Sequence, residues 1–295
     1  MMLRCCGIAP ALLRSPRKLG SCLSVVGNFC EPGFDLQTPF DAAVVIGTIV
    51  RPTLKDALLS VFRQTHPGRI QIMLGIDKAL GDRGVIEEAL KHRPPNQVVT
   101  LVDPGYSTSM RHGGVHIDLW GGAIHTVLSY LANSRYITYL ADDNWMHEQH
   151  ISTLLAVIGD RDWAFSLRWY VDDATRKPLC VDLWESVGPE KGVYAETFGG
   201  FVDPNCMFID KIRCEAVLRH RSIPFLGPTG PAPADRGLFD QLRHRPWVCT
   251  GQPTSYYTMQ ATDTNHEIRM ALIREFLARE GNATLAPHVL GRERV

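Results

Sequence analysis

Residues 136–145 read Tyr136-Ile137-Thr138-Tyr139-Leu140-Ala141-Asp142-Asp143-Asn144-Trp145. The first five are apolar, β-branched or aromatic, as expected of a short strand buried in a sheet. The run then breaks into two adjacent carboxylates and an amide. Carboxylates at a strand's end are costly to bury unless a cation or a hydrogen-bond donor lies beside them. In an open α/β sheet, the crevice beyond the carboxyl ends of the strands is where ligands bind. Hard oxygen donors there suit Mg²⁺ or Mn²⁺, and such an ion in turn holds a diphosphate. Taken alone, the same pair also reads as a polar turn capping a helix that begins near His147, so the flanking chain has to decide.

On the amino-terminal side, strand and helix patterns alternate. Residues 43–50 are nearly all small or β-branched and predict a strand. Thr53 is placed to cap the next helix, with Asp56 three positions on in a capping box. Leu54, Ala57, Leu58, Val61 and Phe62 follow at helical spacing, and His66-Pro67-Gly68 ends the run. Residues 70–76 predict a second strand closing on Asp77. A loop at 81–84, a short helix at 85–92 stopped by Pro94-Pro95, and a third strand at 97–102 come next. Such alternation argues a parallel sheet built by right-handed crossovers. A glycine-rich loop at 103–114 precedes a helix over 119–132. Gly113-Gly114 and Gly121-Gly122 form neither GxGxxG nor GxxxxGK[ST], which removes the main support for dinucleotide and P-loop readings.

On the carboxyl-terminal side, a helix is expected over 147–158. His147 and His150 lie three apart in His-Glu-Gln-His, which is not the HExxH spacing of a metalloprotease. Residues 164–171 and 179–184 predict a hairpin around a solvated turn that carries Asp172 and Asp173. A strand at 205–209 and a short helix at 211–219 lead to residues 223–234, whose four prolines and two glycines predict a long irregular loop. Asp235 opens a short amphipathic helix, and 247–257 is aromatic and strand-like. A last helix is expected from Thr264 to Gly281 with Ile268, Leu272, Ile273, Phe276 and Leu277 on its stripe. The organisation expected is a poorly ordered basic extension over 1–40, one domain over 41–285, and a tail over 286–295.

Composition narrows the class. With 31 basic and 31 acidic residues among 295, nothing electrostatic calls for a nucleic-acid partner. No apolar run approaches the roughly 18 residues that span a bilayer. The cysteines (Cys5, Cys6, Cys22, Cys30, Cys180, Cys206, Cys214, Cys249) contain no CxxC pair, so zinc spacing is absent and buried thiols in a reducing cytoplasm are expected. The leader carries Arg4, Arg14, Arg17 and Lys18 with no acid before Glu31. It reads as a loose extension, an organelle-targeting peptide or a weak anchor to the inner face of the membrane.

Four blocks in register resemble the GT-A glycosyltransferases of the family-2 type, over about residues 43–257. They are Thr48-Ile49-Val50-Arg51-Pro52-Thr53-Leu54 with the helix that runs on to Gln64; residues 72–77, ending in Asp77; Leu140-Ala141-Asp142-Asp143-Asn144-Trp145; and Ala234-Asp235-Arg236-Gly237-Leu238-Phe239. The resemblance implies a three-layer α/β/α fold around a mostly parallel central sheet. It implies an inverting transfer of a sugar from a nucleotide-diphosphate donor to a hydroxyl on a saccharide, lipid-linked or small-molecule acceptor, in surface polysaccharide or glycoconjugate assembly. By the same resemblance Asp143 holds a divalent cation, Mn²⁺ or Mg²⁺. Thr48, Arg51, Asp77, Asp142 and Arg111 bind the donor, with Asp77 on the nucleobase, and Asp235 is the catalytic base. The chain departs from the family's pattern at Ala141 and Ala234, where relatives carry acids. Those departures motivate a second reading, a non-catalytic sugar-nucleotide-binding scaffold. A nucleotidyltransferase would want a basic, glycine-rich phosphate loop, and 48–53 offers only Arg51.

Overall fold

Ala42, Val44 and Ile46 turn to one face of a sheet and Ala43 and Val45 to the other, and all five are fully buried. A strand apolar on both sides requires helices on both sides, and the computed structural model, which describes residues 26–117, 120–227, 230–263 and 265–280, has that arrangement. Its first half is β1 (Val26–Phe29), β2 (Ala42–Thr48), α1 (Leu54–Phe62), β3 (Ile70–Ile76), α2 (Gly84–Leu90), β4 (Gln97–Val102), α3 (Gly122–Leu131) and β5 (Tyr136–Tyr139). Then come β6 (Trp145–Met146), α4 (His150–Ile158), β7 (Trp163–Asp172), β8 (Pro178–Val181), β9 (Gly188–Pro189), α5 (Ala195–Phe198) and β10 (Gly200–Phe201). The remainder is β11 (Met207–Asp210), α6 (Glu215–Leu218), β12 (Phe225–Gly227), β13 (Gly230–Ala232), α7 (Ala234–Leu242), β14 (Trp247–Met259) and α8 (His266–Glu280).

The main sheet has ten strands in the order β1-β4-β3-β2-β5-β11-β7-β14-β6, with β8 on β7. Its centre, β4-β3-β2-β5, is parallel. β11 then runs antiparallel between β5 and β7, and β14 returns parallel to β7. One face buries Leu54, Leu58 and Val61 of α1, Ile86 of α2 and Leu154 of α4. The other buries Ile124 and Leu128 of α3, Leu218 of α6, and Leu238 and Phe239 of α7. Because β2 and β5 are parallel neighbours, both end at the same rim, which places Thr48 beside the Asp142-Asp143 turn.

The structure differs from the sequence reading in several places. Val26–Phe29, assigned to the loose extension, pairs antiparallel with β4, and Phe40 bridges to Ser134. Val26–Phe29 alternates sides enough to add an edge strand where β4 would otherwise leave one open. The capping box does not form. Thr53 is itself helical in φ and ψ, its side chain accepts no cap bond, and Asp56 instead approaches Arg176 at 3.9 Å. The expected helix at 147–158 begins at His150, because Trp145–Met146 is taken up as a strand against β14. Residues 223–234 are not wholly irregular, since β12 pairs with β13 as a hairpin. The cap at Thr264, the stop at Gly281, the start at Leu119, the sequon at Asn282 and residues 1–25 and 281–295 lie outside the described residues. Among the described residues no helix is long and apolar enough to cross a membrane.

Candidate active site

The site grows from the way β2 ends. Val50 has φ +65, a left-handed conformation that a β-branched residue adopts only when its surroundings force it. Here its N–H donates to Thr48 Oγ1 at 2.8 Å. A side chain at Gly81 would collide with the Val50 carbonyl, its Cβ coming within 2.0 Å. The kink turns Arg51 back towards the carboxylates. Thr48 Oγ1 donates to Asp142 Oδ2 at 2.6 Å, while Arg51 Nη1 lies 2.6 Å from Asp143 Oδ2 and 3.4 Å from Asp142 Oδ1. Four residues that the sequence singled out thus meet at one rim.

Four more side chains fix this turn, and no motif in the sequence marks any of them. Gln260 Nε2 donates to Asp143 Oδ2 at 2.7 Å. Arg176 Nη1 and Thr258 Oγ1 both donate to the Asp143 carbonyl. On the other flank, the Ala141 N–H donates to Asn205 Oδ1 at 2.6 Å, and Asn205 is held by Asp203. Asp203 belongs to a buried cluster in which Arg168, only 1% exposed, meets Asp203 at 2.6 Å and Asp182 and Glu185 each at 2.8 Å. The signal for Arg168 was present, because it is the one charge inside the apolar run 163–171.

Burial, and then the like charge of Asp142, push the Asp143 carboxyl up to about 6 despite Arg51. That excess of negative charge, carried by hard oxygens, fits a divalent cation. Among the described residues no third His, Cys, Asp or Glu converges on a metal position. The protein side chains would therefore supply at most Asp143 and Asp142, the small share that Mg²⁺ commonly takes when phosphates complete its shell. His150 joins no metal-ligating cluster among the described residues. It is buried, its Nδ1 meets Thr254 Oγ1 at 2.8 Å, and burial pushes its pKa down to about 3.

Asp77 joins the same rim through its backbone, whose N–H donates to the Thr48 carbonyl at 2.9 Å. Its carboxylate pins the following loop. Oδ2 accepts from Ser107 Oγ at 2.8 Å, and Oδ1 accepts from Thr108 N at 2.7 Å and Thr108 Oγ1 at 2.5 Å. Arg111 rides on that loop, exposed, with its guanidinium 5.0 Å from the Trp120 ring, and no contact joins it to Asp142 or Asp143 among the described residues. The floor is His125 of α3. It accepts the Gly47 N–H at Nε2 (3.2 Å) and donates from Nδ1 to the Gly121 carbonyl (2.7 Å), so its tautomer is fixed and burial pushes its pKa down to about 3. Gly47 is required there, since a Cβ would sit 2.7 Å from His125 Cε1.

Asp235 lies in the first turn of α7, within electrostatic reach of Arg221, Arg236 and Asp203. Burial pushes its carboxyl above the usual carboxylate range, against the pull of both arginines. Arg221 also lies within electrostatic reach of His125, as does Asp77. Trp184 packs on Tyr170 and Phe276. The thiols of Cys206 and Cys214 are free and buried.

No protein-family profile matches the chain, and no curated protein matches it in sequence. Solved structures do match. S. aureus TarS residues 1–349 in complex with UDP-GlcNAc superposes with a TM-score of 0.51 at 13% identity, covering 80% of this chain and 66% of that one. A longer TarS structure gives 0.52 at 11% identity over 83% of this chain and 44% of that one. The chain thus spans less than two thirds of either TarS structure. At such identity the likeness speaks for the fold: the chain has a GT-A fold, the architecture that the four sequence blocks resemble.

Proposed function

We propose that the chain is a glycosyltransferase that moves a sugar from a nucleoside-diphosphate donor to a hydroxyl acceptor with inversion at the anomeric carbon, in surface polysaccharide or glycoconjugate assembly. The observation that carries this reading is the rim itself: Thr48, Arg51, Asp142 and Asp143 bound to one another at the carboxyl ends of two parallel strands. In this reading Asp77 takes the nucleobase. Thr48 and Asp142 line the ribose side, and Arg51 and Arg111 offer guanidinium donors to phosphate. Asp143 would hold the divalent cation, which when bound neutralises charge that builds on the departing diphosphate.

The proton has its own route. The acceptor hydroxyl oxygen bonds to the anomeric carbon as the bond from that carbon to the phosphate oxygen breaks. The hydroxyl proton passes to a carboxylate oxygen of Asp235. Burial that raises the Asp235 pKa makes it the better proton acceptor at neutral pH. The location proposed is the cytoplasm, peripheral to the inner face of the membrane.

Calorimetric titration with UDP-, GDP- and dTDP-sugars, with and without Mn²⁺, tests donor binding, and UDP-GlcNAc comes first because TarS binds it. Asp235→Asn is expected to retain donor affinity and to lose roughly 10²–10⁴-fold in turnover; unchanged turnover refutes the assignment. A second reading, the non-catalytic sugar-nucleotide-binding scaffold, is favoured by Ala141 and Ala234 and by the guanidinium already seated on Asp143. Donor binding without turnover across an acceptor screen would select it.

A further inference from the structure

Two arginines near Asp235, Arg221 buried and Arg236 half-buried, form no ion pair among the described residues. Arg221, in the turn after α6, is 8% exposed, and its guanidinium lies 5.8 Å from the Tyr139 ring centroid. Arg236 follows Asp235 on α7, with its guanidinium carbon 3.6 Å from the Phe201 ring centroid and 3.9 Å from that of Tyr194. Arg221 Nε and Arg236 Nη1 are buried with no hydrogen-bond partner among the described residues, and no ion pair there reaches either guanidinium.

The neighbouring groups do not supply the missing charge. Asp203, the other acid near Asp235, is already bound to Arg168 at 2.6 Å and to Asn205. His125, beside Arg221, is neutral. Ring faces attract a guanidinium but do not cancel its charge. Two cations therefore face one carboxylate in a partly dry place, and a buried, unpaired charge is strongly disfavoured. A guanidinium fork matches phosphate and carboxylate oxygens two at a time.

We propose that Arg221 and Arg236 form an acceptor subsite for an anion, a phosphate or carboxylate group carried by the molecule whose hydroxyl is glycosylated. The proposal rests on the transferase reading, in which the donor's diphosphate lies at Asp143 and Arg51 and the acceptor hydroxyl has to reach Asp235. An anion gripped by the residue next to the base is then part of the acceptor. The same chemistry has a second source, the donor's own diphosphate, and the experiment separates the two.

Inorganic phosphate is titrated by calorimetry into the full chain saturated with the nucleoside diphosphate that it binds best. Phosphate is expected to bind, and to bind roughly tenfold or more weakly in Arg221→Met and in Arg236→Met. The affinity of both variants for the nucleoside diphosphate is expected to stay unchanged. Their melting temperatures are expected to equal or exceed that of the wild type, and phosphate to raise the melting temperature of the wild type alone. Where a methionine variant does not fold, Arg221→Gln and Arg236→Gln remove the same charge and carry the same expectations. Wild-type phosphate affinity in the variants overturns the subsite. Lost nucleoside-diphosphate affinity overturns it too, assigning the arginines to the donor. A wild type that binds no nucleoside diphosphate overturns the transferase reading itself, and with it the acceptor assignment, whatever phosphate does.

Discussion

Arg168 and Arg221 are the same side chain, both almost wholly removed from water, in opposite electrical company. Arg168 is ringed by Asp182, Glu185 and Asp203, whereas Arg221 has one aromatic ring, Tyr139, and the Asp235 carboxylate within electrostatic reach. Around Arg168 the lone pairs and N–H groups are matched. The Asp182 carboxylate also accepts the N–H groups of Trp184, Glu185 and Ser186, and Glu185 is shared with Arg269 at 2.9 Å. That cluster is a framework. Around Arg221 the matching is incomplete, since its Nε has no hydrogen-bond partner among the described residues.

The contrast yields graded expectations. Arg168→Met strips three buried carboxylates of their partner, and denaturant unfolding should show a loss of ~3–5 kcal/mol; a loss under ~1 kcal/mol would put Arg168 in the same class as Arg221. Asn205→Ala cuts the link from that framework to the Ala141 N–H. It should cost ~1–3 kcal/mol in the same assay and should also weaken nucleoside-diphosphate binding, because the turn that carries Asp142 and Asp143 loses its support.

The pH response of Asp143 comes next in size. Its folded pKa, about 6, lies above the ordinary 3.8, so the folded state keeps that proton where the unfolded chain has lost it. Stability from this group is full below pH ~4 and falls as the pH rises through ~6. Cation binding runs the other way. Protonation competes for the carboxylate, so Mn²⁺ affinity in the nucleotide complex should fall about tenfold per pH unit below ~6, measured by calorimetry. The smallest expected stability change belongs to Arg221→Met, within about 0.5 kcal/mol of the wild type or more stable.

The parallel centre of the sheet was legible because apolar strands between amphipathic helices have few alternatives, and the Thr48, Arg51 and Asp142-Asp143 cluster was legible because all four stand where such strands stop. What escaped was carried by long-range pairing. Asn205 touches Ala141 from 64 residues away, and Gln260 touches Asp143 from 117. No spacing rule reaches that far. The capping box at Thr53 failed for a local reason: the kink at Val50 delivers the chain to α1 already wound, so Thr53 has helical dihedrals and its hydroxyl has no free amide to accept. Residues 227–230, Gly-Pro-Thr-Gly, carried turn chemistry that a count of prolines concealed.

In the proposed transferase, Asp77 would do two jobs with one carboxylate. Such a group offers about four lone-pair positions, and the segment at Ser107 and Thr108 occupies three of them. A single seat is left for an incoming base. Nucleotide arrival and the tethering of that segment are therefore drawn from a shared stock of acceptor sites: a base that demands two seats must unfasten the tether, while a base that needs one can leave it tied. Amide exchange at Thr108, followed as different nucleotides are added, would show which of them unties it.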